Sequence, residues 1–114
     1  RTQALADLGR AMITALDHFD HALQVDPEKT SAQSVLDGVT MVRNELVRTL
    51  GQFEIHRIDA QPGDDFDPNM HEALMRTDPP ADSGIESEQI VQQLQPGYRI
   101  GDRVIRPAQV SLAN

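Results

Sequence analysis

The side chains that could do chemistry in this sequence are four histidines set among 18 Asp and Glu residues, with no cysteine to supply a thiolate. His71-Glu72 opens like the zinc-protease pattern, in which two histidines four apart hold the metal and the glutamate acts as base. The second histidine would fall at position 75, where Met75 stands. Asp65, Asp67 and Asn69 have the one-three-five spacing of a calcium loop. Its sixth position needs Gly and its twelfth a bidentate Glu, whereas this chain has Met70 and Arg76. His18 and His21 lie three apart on a helical face beside Asp17 and Asp20, a spacing that suits a divalent ion, although a solvated polar face is the favoured reading. There is no Gly-rich phosphate loop, Ser-His-Asp series or nucleophile elbow. The reading is of a non-enzyme with no cofactor and no metal.

The arginines point elsewhere. Arg99, Arg103 and Arg106 fall close together beside the lone tyrosine, Tyr98. Arginine is favoured at protein interfaces because its planar fork binds carboxylates in pairs, although such a cluster can also be a surface salt-bridge ladder. Charge along the chain is uneven. Residues 1–53 carry seven acids and five bases, residues 54–88 carry ten acids and two bases, and residues 89–114 carry three arginines against Asp102. The net charge of −8 argues against nucleic acid or an anionic membrane as partner. No apolar run approaches the roughly 20 residues of a membrane span, and no signal segment opens the chain. A soluble, cytoplasmic protein is expected, and the absence of cysteine fits a reducing compartment. The 114 residues, 39% hydrophobic and 25% charged, suit one domain or a helical module joined to a small β module. Starting at Arg1, without Met and already in helical pattern, the sequence reads as a piece of something longer.

These residues need elements to position them. Leu5, Leu8, Met12, Leu16, Phe19 and Leu23 recur at intervals of three and four, which predicts one apolar helical stripe. Asp26-Pro27 is expected to end that helix, since Pro disfavours the helical conformation in the residue before it. Thr30 or Ser31 is the candidate N-cap of a second helix, with its stripe at Val35, Val39, Val42, Leu46, Leu50 and Phe53. Two such helices cannot bury two stripes alone. Pairing with a second copy as a four-helix bundle is the economical solution.

Beyond residue 54 the period changes. Glu54 to Ile58 reads as a strand, Gln61 to Asn69 as an acidic turn-rich stretch, and Met70 to Arg76 as either a helical turn or a strand. Ile90 to Leu94 reads as another strand. Tyr98-Arg99-Ile100 and Arg103-Val104-Ile105 flank Gly101-Asp102, a two-residue hairpin turn. Unbroken alternation would put Tyr98, Ile100, Arg103 and Ile105 on one face, with Arg99, Val104 and Arg106 on the other. Pro107 belongs between strands or at an edge, and Val110 and Leu112 belong to a last strand. The expected class is α+β, with a helical dimerisation module at 1–53 and a small, mostly antiparallel β domain at 54–114.

At this point a family resemblance emerges. Phe66-Asp67-Pro68-Asn69, His71-Glu72-Ala73-Leu74, Leu94-Gln95-Pro96-Gly97-Tyr98, then Arg103-Val104-Ile105-Arg106-Pro107-Ala108 and Val110 stand in the order and spacing of the GrpE family. Leu16-Asp17 through Ala22-Leu23 resembles the end of that family's long helix, so the similarity runs from Ala11 onward. The resemblance implies a co-chaperone that exchanges nucleotide on DnaK-type chaperones in protein folding and the stress response. It implies a homodimer with a long paired helix, most of it outside this sequence, a four-helix bundle, and a β domain that wedges open the chaperone's ATPase domain. Chaperone-contacting positions of the family map onto Leu94, Arg103 and Leu112, with Tyr98 and Arg106 as neighbours. Three positions depart from the family pattern: Thr14 for a usual Pro, His21 for a common Arg, and Glu54 for a usual Gly at the helix-to-strand junction. The alternative is a dimeric protein-binding scaffold without exchange activity.

Overall fold

Ser31 starts the second helix. Its backbone is extended, at φ −72 and ψ 155, and its hydroxyl accepts the Ser34 N–H at 3.1 Å, satisfying a donor of the first turn that has no helical partner. In the computed structural model, which describes residues 2–114, this helix is α2 (Ala32–Gln52) and follows α1 (Thr2–Ala22).

The end of α1 departs from expectation. The helix stops at Ala22, before Asp26-Pro27 is reached, and tightens as Gln24 N–H donates to the His21 carbonyl at 3.1 Å. Asp26 instead organises the connection, its carboxylate accepting the Glu28 N–H at 2.9 Å and its carbonyl the Lys29 N–H at 3.0 Å. Ala15 and Val42 are the buried residues of the hairpin, and His18 Nδ1 meets Glu45 Oε2 across it at 2.6 Å. The two predicted stripes are mostly not consumed by this contact. Leu5, Met12, Leu16, Leu23, Val35 and Val39 stay exposed, Leu16 at 58%, while Leu8, Phe19, Leu46 and Leu50 are half-buried.

A second unit begins at Glu54. It holds β1 (Ile55–Ile58), β2 (His71–Thr77), β3 (Ile90–Gln95), β4 (Gly97–Ile100), β5 (Arg103–Arg106) and β6 (Ala108–Ala113). They form two three-stranded sheets, in the orders β1-β4-β5 and β2-β6-β3. The ambiguous stretch at Met70 to Arg76 is a strand because β6 pairs with it, and that ladder is parallel whereas the other three are antiparallel. Ile58, Ala60, Ile90, Ala108, Val110 and Leu112 make the core, with Phe66 and Val104 packed against it. Alternate residues of β6, Ala108, Val110 and Leu112, belong to this core, and Ser111 between them is also buried at 2% exposed, its hydroxyl 3.5 Å from the Gln92 carbonyl.

Two backbone positions are demanding. At Gly97 a Cβ would sit 2.5 Å from both the Ala108 nitrogen and the Arg106 carbonyl oxygen, so only glycine lets these backbones approach so closely. Glu54 has φ 63, a left-handed conformation that carries a penalty for any residue with a Cβ. Its carbonyl accepts the Gly101 N–H at 2.9 Å, which ties the start of β1 to the β4–β5 turn.

Candidate functional site

The hairpin bearing the arginines is built around Gly101-Asp102, with Ile100 opposite Arg103 and Gly101 at φ 55. Arg99 Nη1 donates to the Gly101 carbonyl at 2.8 Å and so fastens the turn. The register then slips. Arg99 pairs with Val104, but Tyr98 pairs with Arg106, leaving Ile105 as the extra residue of a bulge. This overturns the unbroken alternation expected from the sequence. Arg106 shares a face with Tyr98, and its guanidinium carbon lies 5.3 Å from the ring centroid.

The face continues onto β1. Arg57 is the register partner of Tyr98 and Ile55 that of Ile100, so two cross-strand rows form: Arg57, Tyr98, Arg106 and Ile55, Ile100, Arg103. The opposite face carries Ile58 and Val104, which join the core, so these rows point away from it. Arg57 stands 5.8 Å from the Tyr98 centroid and donates to both oxygens of Asp59, at 3.1 and 3.0 Å. That bidentate bond raises the Arg57 pKa above the ordinary arginine value, against the opposing effect of partial burial. Arg106 is held differently, by Nε and Nη2 on the Pro96 carbonyl at 3.2 and 2.9 Å. Arg103 is exposed, and among the described residues it makes no ion pair.

Of the five expected contact positions, Tyr98, Arg103 and Arg106 come together on this sheet. Leu94 lies on β3 of the other sheet, 41% exposed, where the ladder to β6 is irregular between Gln93 and Gln95. Leu112 does not join them on the surface: it is 3% exposed and packs in the core with Ile58, Ile90 and Val110. Ile100 shares the face of Tyr98 and Arg103 as expected, whereas Ile55 and Arg57 were not anticipated as members of the patch. Their place depends on the β1–β4 pairing, which joins segments some forty positions apart and leaves no local mark.

His71 does structural work. His71 is buried, and its Nδ1 accepts the Asp67 N–H at 3.0 Å. Asp67 Oδ1 accepts from Asn69 N–H at 2.9 Å, so the Asp-Pro-Asn turn is closed by its own side chains. His18 and His21 line a groove of about 430 Å³ between the helices, together with Val25, Val35, Met41 and Val42. Among the described residues, no three His, Asp or Glu side chains converge in a way that could hold a metal ion. No helix among them is long and apolar enough to cross a membrane.

The family model for GrpE matches residues 1–114. The chain belongs to the GrpE family. Similar curated proteins, each called Protein GrpE, include that of Bacillus licheniformis, 40% identical over 101 residues that cover 89% of this chain and 50% of the relative. The GrpE of Geobacillus thermodenitrificans is 38% identical over 113 residues, covering 99% of this chain and 48% of its own length. That of Bacillus subtilis is 39% identical over 101 residues, 89% and 52% respectively. The chain thus spans about half the length of the GrpE relatives it matches.

Proposed function

We propose that this chain is the chaperone-engaging part of a nucleotide exchange factor, a co-chaperone that binds the ATPase domain of a DnaK-type chaperone and accelerates ADP release. The observation that carries the reading is the GrpE match along the whole chain. The outward face with Tyr98, Arg103 and Arg106 supports it, since arginine and tyrosine at the centre of a patch are the residues that anchor protein contacts. The β unit binds the opened ATPase cleft more tightly than the closed, ADP-bound one, and that difference in affinity shifts the population toward opening. By linkage, ADP weakens the factor's binding by the same ratio as the factor weakens that of ADP. No covalent step is involved, so the protein is not an enzyme in the catalytic sense, and a DnaK-type partner implies the cytoplasm.

The helical unit serves as the dimerisation module. Its stripes at Leu5, Met12, Leu16, Val35 and Val39 remain open in the single chain, which supports closure of a four-helix bundle by a second copy. The deciding experiment is stopped-flow release of a fluorescent ADP from a DnaK-type ATPase domain. Concentration-dependent acceleration is expected, and Arg103→Ala slows exchange while leaving the oligomeric state unchanged. No acceleration by a protein of established dimeric state would overturn the reading in favour of a scaffold.

A further inference from the structure

We propose that Arg57 on β1 is a positioning residue of the β1-β4-β5 face: it holds the Tyr98 ring in place for a partner surface that presents carboxylates about an apolar centre. This deepens the exchange-factor reading and rests on it for the partner's identity. Tyr98 is flanked in register by Arg57 and Arg106, whose guanidinium carbons lie 5.8 and 5.3 Å from its ring centroid. Both distances are within the range of a cation–π contact. Each guanidinium is fixed by two further hydrogen bonds that do not involve the ring, Arg57 on Asp59 and Arg106 on the Pro96 carbonyl. The ring is therefore ordered before any partner arrives, and little conformational freedom is left to lose on binding.

The two arginines differ in charge balance. Asp59 matches the charge of Arg57, whereas Arg103 and Arg106 have no carboxylate partner among the described residues. With Ile100 43% exposed in the neighbouring row, the face offers two unmatched cations around an aromatic and an aliphatic side chain. The complementary surface presents carboxylates about an apolar hollow. The ten acids against two bases in residues 54–88 repel such a partner elsewhere, so the charge pattern also orients the encounter.

Calorimetric titration of a nucleotide-free DnaK-type ATPase domain at several salt concentrations tests this. No binding by the wild type overturns both this inference and the exchange-factor reading. Given binding, Arg57→Ala is expected to weaken affinity about tenfold, the scale of a desolvated cation–π contact, with an unchanged salt dependence. Arg57→Lys restores most of the loss, since the cation over the ring returns. Arg103→Gln weakens binding and flattens the salt dependence, as loss of an unmatched charge should. Full affinity in Arg57→Ala overturns the positioning role while leaving the exchange-factor reading intact. A loss that Arg57→Lys fails to restore, accompanied by a lowered thermal midpoint, also overturns it, because Arg57 would then be needed only for folding.

Discussion

His71 and Asp67 hold each other twice: the imidazole Nδ1 accepts the Asp67 N–H at 3.0 Å, and the His71 N–H donates to the Asp67 carbonyl at 2.8 Å. The ring therefore works as a backbone acceptor that locks the Asp-Pro-Asn turn into the start of β2. His71→Ala leaves a part-buried N–H without its partner and is expected to destabilise the β unit by about 1–3 kcal/mol. His71→Asn, which returns an acceptor oxygen near the Nδ1 position, should recover part of that. Urea midpoints of the two variants check it, and equal midpoints would mean that the hydrogen bond contributes nothing.

Glu54 occupies a conformation that glycine adopts without steric cost. At φ 63 the penalty for a side chain is about 1–2 kcal/mol, partly offset by the greater freedom glycine has in the unfolded chain. Glu54→Gly is thus expected to stabilise the protein by about 0.5–1 kcal/mol, with an unchanged denaturant slope. A lower midpoint would show that the Glu54 side chain, 3.5 Å from His56 Nε2, contributes more than the backbone strain removes.

Leu16 is 58% exposed in the single chain, so a charge there removes little packing from the hairpin itself. In the proposed bundle the same charge would be buried against a second copy. If a second copy closes that bundle, Leu16→Glu should sediment as monomer at micromolar concentrations where the unsubstituted chain sediments as dimer. An unchanged dimer would exclude this stripe as the interface.

Arg76 grips Glu88 through both oxygens, at 2.5 and 3.0 Å. The hydrogen bond holds the Glu88 carboxyl below its ordinary value and pushes the Arg76 guanidinium above its own. Because the folded-state value of Glu88 is depressed, its contribution to stability is present above the unfolded glutamate value of about 4.3 and lost as pH falls through the folded one. A carboxyl-carbon titration should find Glu88 low in the wild type and moved upward in Arg76→Gln. No upward movement would rule out the pair as the cause.

Much of this architecture is legible in the residues. Ser31 as a cap, the Gly101-Asp102 turn and the two helical stripes follow from local rules of capping, φ preference and period. What local rules miss is pairing at a distance. The stretch at Met70 to Arg76 has no periodicity of its own and becomes β2 only because Ala108–Ala113 lies beside it. Val110 and Leu112 alternate with polar Gln109 and Ser111 as a half-exposed strand would, yet Ser111 is buried along with Leu112, a result of tertiary packing that no local pattern records. The bulge at Ile105 moved Arg106 to the face of Tyr98, and a one-residue slip of that kind leaves no sign in an alternating pattern. The early end of α1 has a similar lesson, since Pro27 forbids helix just ahead of it without requiring helix up to that point.

The place of β6 also sets a schedule for assembly. It is the last of the six strands in chain order, yet it lies between β2 and β3 and supplies every ladder bond that either of them makes to another strand. During synthesis, β2 and β3 must therefore wait as unpaired segments until residues 108–113 emerge, and their closure is a non-local, slow event. A nascent chain stopped short of Ala108 has the β4–β5 hairpin but no route to the second sheet. Quality control on the ribosome would meet that intermediate with Ile90 and its neighbours still uncovered.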